Sequence, residues 1–432
     1  MPVDADTEWC ERHLLARIHR YTLKRLRREI EPVEPRDFVR FLFDWQRVGA
    51  PSRVRGPDAL AGVLAQLEGY EAPAATWEAE ILPARVEDYA SAWLDDLCTA
   101  GRTLWTRLRP VSGDGRAGAS SLRSTPILLL PRRAAGIWSR LSPLRGDDAD
   151  ELGARARLVA AHLADRGASF FDEIADAVRL LPVEVEEALA ELVGRGRINC
   201  DSFAGLRALL VPPAKRASAQ GRRRRGVALL GVADAGRWSP IRSASSPADE
   251  PSRHAVAMSR GPAAAAHKAD AEVIEHVARV VLRRYGVVCW RLLEREAAWL
   301  PPWRELVRVY RRLEARGEIR GGRFIAGLTG EQFALPEAIA QMREVRRRPA
   351  GDALVCLGAS DPANLLGTVV PGAKVARVAG ARVLFRDGVP IATSVGGIFE
   401  MLVPGDDRVA RDALRHGPAW RALIGDADTA IA

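Results

Sequence analysis

The 432-residue sequence predicts a mainly helical α+β fold, and three observations point to it. Hydrophobic residues make up 47% of the chain and charged residues 28%, the balance of a protein that buries ordinary globular cores. Apolar stripes at helical spacing recur along the chain, most clearly at Leu306, Val309, Tyr310 and Leu313 (i, i+3, i+4, i+7). Several of those helices stop at a glycine and give way to a short alternating run, so that a helix is followed by a β-hairpin. A helix ended in this way is a winged helix, and the chain reads as several in tandem followed by a C-terminal β-barrel or sheet.

Taken in order, residues 8–31 form a basic helix with Leu15, Ile18, Thr22, Leu26 and Ile30 near one face. Pro32 and Pro35 end it, and Arg36 to Val48 makes a second helix with Phe38, Phe41, Leu42 and Trp45 inward. Helices are expected at about Pro57–Leu67 and Ala74–Ile81, broken between by Gly69 and Pro73. From Ala92 the chain reads helix, glycine stop, strand, and the pattern returns at Val185 to Leu210 and again from Pro301. Aligned on Gly101, Gly196 and Gly317, Leu97, Leu192 and Leu313 stand four residues earlier, and Leu94, Leu189 and Tyr310 three before those. After Gly317, Glu318 to Gly327 alternates around Gly321-Gly322, which reads as the hairpin turn. Residues 353–402 alternate short β-rich runs with Gly and Pro, and Asp387-Gly388 suits a hairpin turn. The expected division is 1–145, 146–213, a flexible Arg/Ala/Ser-rich linker at 214–268 with a possible strand or two in Gly226–Ile241, 269–348, and a β-rich 349–432.

Charge is clustered. From Arg279 to Arg323 there are 12 Arg and 5 Glu, a surplus of 7 beside a whole-chain net charge of +9. Arg304, Arg308, Arg311 and Arg312 lie largely off the apolar stripe of their helix, and Arg320 and Arg323 flank the expected turn, so helix and wing would offer guanidiniums together to phosphates. Arg20, Lys24 and Arg27 belong to the acid-free run from Arg12 to Arg28. Charged residues opposite an apolar stripe are also what any surface helix carries. DNA, bound in a salt-sensitive way and as single or double strand, is the partner this charge implies.

The five cysteines are odd in number and widely spaced, so a disulfide framework and a CxxC zinc site are both unexpected. No metal or cofactor is expected. The apolar runs are too short to span a bilayer and the N-terminus lacks a signal peptide, which leads to the expectation of a cytoplasmic protein. The absence of GxxxxGK[ST], GxSxG and HExxH disfavours ATP hydrolysis, serine-nucleophile chemistry and zinc catalysis. One pair remains: Gln66 and Glu68, two apart where the helix runs out before Gly69 and Pro73, are placed to face one cavity and polarise a water beside a sugar C1′. The pair also reads as two ordinary polar groups at a helix end.

The strings LLARIHRYTLKRLRREIEPV, DFVRFLFDWQRV, LEGYEAPAATWEAEILPARV, PPWRELVRVYRRLEARGEIRGGRFIAGLTGEQFALPEA and VLFRDGVP resemble the C-terminal part of bacterial large helicase-related (Lhr) proteins. Members of that family begin with a helicase core that is absent here, so the resemblance implies a separate polypeptide or fragment matching the extension alone. It also implies similarity to AlkZ-type DNA glycosylases, which carry a Gln-x-Gln or Gln-x-Asp pair in the catalytic pocket; here Gln66-Leu67-Glu68 holds that place, with glutamate as the departure. The implied function is a DNA-repair module with possible glycosylase activity on uracil or alkylated bases, Glu68 and Gln66 serving the N-glycosidic bond. The alternative is a non-catalytic module that binds nucleic acid and forms homo-oligomers in the service of a separate Lhr helicase core.

Overall fold

The computed structural model describes residues 10–28, 30–49, 52–108, 119–141, 152–211, 231–241 and 262–419. Within them the chain builds one unit three times. The first unit runs helix Pro57–Gln66, strand Ala72–Pro73, a helical turn Ala74–Thr76 that continues as the π-helix Trp77–Ile81, helix Ser91–Thr99, and strands Thr103–Thr106 and Pro126–Pro131. The second repeats this as Ala154–Arg166, Ser169–Phe170, Phe171–Val178, Pro182–Gly194, Ile198–Cys200 and Arg237–Pro240. The third runs Pro262–Tyr285, Val287–Val288, the 3-10 helix Trp290–Arg295, Trp303–Ala315, Arg320–Gly322 and Gln332–Ala334. In each sheet the last strand lies between the other two and antiparallel to both, which is the topology of a winged helix.

The repeat has a backbone cause. Gly101, Gly196 and Gly317 end the third helices with φ of 69°, 66° and 77°. An L-residue held in that left-handed region costs about 1–2 kcal/mol, so glycine is selected at each stop. The six residues aligned before them are all buried: Leu94, Leu97, Leu189, Leu192, Tyr310 and Leu313.

Several details correct the expectation or decide between its alternatives. Gly321 and Gly322 are not the turn of the third wing; they lie within its first strand, and the loop runs on through Gly327 and Gly330, which take φ of 73° and 92°. Close approach explains the pair, because a Cβ on Gly321 would meet the Glu314 carboxylate and one on Gly322 would meet Ile30. The C-terminal strands Leu354–Gly358, Arg382–Arg386, Val389–Val395 and Ile398–Met401 form an open antiparallel sheet in chain order, not a barrel. Asp387 (φ 48°) and Gly388 (φ 82°) make the turn between its middle strands, while 367–380 holds no strand. On the N-terminal helix Arg12–Arg28, Leu15 and Ile18 are 57% and 49% exposed and do not pack inward, whereas Ile30, just beyond the helix, packs against the core. Of the expected linker, Arg237–Pro240 enters the second unit as its central strand, and Arg222 to Arg225 lie outside the described residues.

Two large cores hold the molecule together. Phe38, Phe41 and Leu42 of the helix Pro35–Trp45 share one with Val281, Leu306 and Tyr310 of the third unit, and the other joins the first and second units. Cys98, Cys200, Cys289 and Cys356 are buried free thiols, and burial pushes them up to about 12, 12, 11 and 12; Cys10 is exposed. Among the described residues, no helix is long and apolar enough to cross a membrane.

Candidate functional site

The helix Pro57–Gln66 ends where the sequence places its end, with Leu67 as cap at φ −90° and Gly69 at φ 71°. The reversal turns Glu68 inward, against the first helix of the third unit. A Cβ on Gly69 would collide with the six-membered ring of Trp138, so only glycine lets that indole pack against the turn. Trp138 Nε1 donates to Glu68 Oε1 at 2.9 Å, and His276 Nε2 reaches the same oxygen at 2.7 Å. Arg283 Nη1 stands 3.7 Å from Oε2, and the Glu68 carbonyl accepts from the buried Arg284 guanidinium, itself paired with Glu296.

Glu68 is 4% exposed, so its ionisation is decided by competing effects. Burial pushes the carboxyl up. The hydrogen bonds from His276 and Trp138 and the charges of His276 and Arg283 outweigh it, and the pKa lies below the ordinary glutamate value. The arrangement therefore stores a buried, ionised carboxylate at the junction of two units. Around it, Trp138 meets His276 and Trp299 edge-on at 6.1 and 6.2 Å, and Arg377 caps the neighbouring Tyr70, 2.9 Å from its hydroxyl.

Gln66 is held separately. Its Nε2 donates to the Trp45 carbonyl at 2.8 Å, and its Oε1 is buried without a hydrogen-bond partner among the described residues. Trp45 in turn donates from Nε1 to the Arg283 carbonyl at 2.9 Å, so Gln66 braces the same helix that carries His276.

The basic residues fall into two sets. Arg304, Arg308, Arg320 and Arg323 are exposed and make no ion pair among the described residues. Arg311 is paired with Glu331 at 2.7 Å, Arg312 lies 4.0 Å from Glu275, and Arg27 is paired with the buried Glu314. Arg20 is exposed and turns its Nε back to the Ala16 carbonyl at 3.2 Å; the side chain of Lys24 lies outside the described residues. The wing itself is pinned: Gln332 Oε1 accepts from the amides of Phe324 and Ile325, and Trp290 Nε1 donates to the Thr329 carbonyl. His276, Trp138 and Arg283 carry no local sequence signal, because they reach Glu68 from 208, 70 and 215 positions away.

Comparison with known proteins agrees with this architecture. Residues 33–132 and 267–354 each match a family described as large helicase-related protein, winged-helix domain, the third and fourth such domains respectively. The chain is 30% identical over 411 residues to an Lhr helicase/probable uracil glycosylase of Mycolicibacterium smegmatis, covering 88% of this chain and 24% of that protein. It is 29% identical over 401 residues to an Lhr helicase/uracil glycosylase of Escherichia coli, covering 84% and 24%. The chain thus spans about a quarter of the length of the curated relatives it matches. A solved structure, the Streptomyces sahachiroi DNA glycosylase AlkZ, aligns over 90% of this chain and 97% of its own with a TM-score of 0.47 at 14% identity.

Proposed function

We propose, from the premise that residues 33–132 and 267–354 are winged-helix domains of the large helicase-related type, that the chain is a DNA-binding repair module that releases damaged or misplaced bases. The observation that carries the reading is Glu68: an ionised carboxylate, buried at the junction of two such units. A flipped base leaves its sugar with positive charge developing at C1′, and a carboxylate held in this way is what offsets that charge. The names of the two relatives, one an Lhr helicase/probable uracil glycosylase and the other an Lhr helicase/uracil glycosylase, agree with uracil as one substrate. Arg304, Arg308, Arg320 and Arg323 supply the phosphate contacts that hold the duplex or strand, and Gln66 steadies the helix that faces Glu68. An Lhr helicase core is the proposed motor.

The test is base release. The purified chain is incubated with oligonucleotides carrying uracil or alkylated bases, and abasic sites are cleaved with alkali. Strand cleavage that is lost in Glu68→Ala supports the reading; no product from any lesion removes it. A second reading, a non-catalytic module that binds nucleic acid and self-associates, is favoured by the exposed Leu15, Ile18 and Tyr21 on the N-terminal helix. It predicts DNA binding without base release, and a mass in solution above that of one chain.

A further inference from the structure

Glu68 and His276 form a dyad across the junction of the first and third units, and we infer that His276 is the group that meets the attacking water while Glu68 positions it. The inference rests on the base-excision reading above and adds to it a residue and a proton's path.

Access separates the two roles. The Glu68 side chain is 5% exposed and already receives two hydrogen bonds on Oε1, whereas the His276 side chain is 24% exposed. Of the pair, the imidazole is the member a substrate can reach. The tautomer follows from chemistry: an ionised carboxylate only accepts, so His276 Nε2 carries the hydrogen that it donates at 2.7 Å. In the neutral form of the ring Nδ1 is therefore bare and able to accept, and it makes no other hydrogen bond among the described residues. A buried carboxylate behind an imidazole fixes ring orientation and steadies the imidazolium that forms when the ring takes a proton. Trp138, fully buried and edge-on to His276 at 6.1 Å, holds both members in place.

The helix Pro262–Tyr285 also brings the charge that a nucleotide needs. Arg283 lies two turns beyond His276, on the same face, and is 49% exposed in its side chain. That guanidinium sits beside the dyad where a sugar's flanking phosphate would be received. Glu272, one turn before His276 on the same helix, lies 3.8 Å from Arg140.

The step balances without a further reactant. Nδ1 of His276 takes a proton from water, the oxygen forms the new bond to C1′, and the C1′–N bond breaks with its electron pair leaving on the base. The proton held by His276 then passes to the base nitrogen, which regenerates the neutral ring and leaves an abasic sugar bearing the hydroxyl.

The experiment measures single-turnover base release from uracil-containing single- and double-stranded oligonucleotides by the full chain and by His276→Ala, His276→Gln and Glu68→Gln, with DNA affinity recorded for each. Expected are a fall of about 100-fold or more in His276→Ala and His276→Gln at unchanged affinity, partial restoration of His276→Ala by added imidazole, and displacement of the acid limb of the pH–rate profile in Glu68→Gln. His276→Gln keeps a donor to Glu68, so its inactivity at retained affinity separates proton transfer from bracing. Wild-type activity that survives in both His276 variants with the same pH profile overturns the inference and leaves the base-excision reading standing. No release by the wild-type chain from any lesion overturns both.

Discussion

Arg85 and Asp361 stand 276 positions apart and meet in parallel, Nη1 to Oδ2 at 2.7 Å and Nη2 to Oδ1 at 2.8 Å, with neither side chain more than 1% exposed. Arg85 Nη2 also donates to Gln46 Oε1 at 2.7 Å, and Arg295 donates to the Asp361 carbonyl at 2.8 Å. One buried ion pair thus ties the helix Pro35–Trp45, the first and third units and the C-terminal sheet at a single point.

Removing one partner strands the other's charge in the interior. Arg85→Met and Asp361→Leu are each expected to cost about 3–5 kcal/mol, and the double substitution far less than their sum. Urea denaturation of the four members of the cycle checks this; additive losses would refute it.

Gly69 is the second fixed point. Gly69→Ala adds strain of about 1–2 kcal/mol at φ 71° and drives a methyl into the Trp138 ring. The expected result is a lower melting temperature together with a shifted Trp138 indole N–H signal by NMR. An unchanged signal would show that the indole is not anchored on this turn.

Acid should act on Glu68 and Glu80 with opposite signs. Glu68 is held below its ordinary value despite burial, so the stability it contributes is present above its unfolded pKa and is lost as pH falls through the lower folded value. Glu80, in the π-helix Trp77–Ile81, is raised by burial, which Arg382 at 3.3 Å only partly offsets. Its contribution therefore declines as pH rises from the unfolded value towards the folded one. Stability measured across acidic to neutral pH is expected to lose part of its acid sensitivity in Glu68→Gln. In Glu80→Gln the loss on going to neutral pH should diminish.

Free and paired arginines predict different responses to salt. Arg308→Ala and Arg323→Ala are each expected to lower the slope of log affinity against log salt for DNA by about 1. Arg27→Ala breaks a pair with Glu314, which is 5% exposed, and is expected to act on stability more than on that slope. Binding titrations at several salt concentrations, with thermal melts, separate the two.

Much of this architecture is readable from local pattern. The three stop glycines and the leucines four residues before them mark the repeated units because helix termination and core packing are both short-range. The end of the helix at Gln66 is readable for the same reason, from Gly69 and Pro73. What Glu68 touches is not, since Trp138 and His276 arrive from other parts of the fold, and a lone Trp or His in a helix has no distinguishing spacing. The misplaced hairpin turn has a related cause: Gly321 and Gly322 answer to packing against Glu314 and Ile30, which a turn rule does not consider.

The distribution of sulfur has a practical corollary. With four thiols enclosed and held in their unreactive protonated form, a maleimide offered to the folded protein meets one nucleophile, Cys10, just ahead of the N-terminal helix. The unaltered chain therefore brings its own handle for a single dye, placed beside the exposed residues Leu15, Ile18 and Tyr21, from which the arrival of another macromolecule can be reported optically.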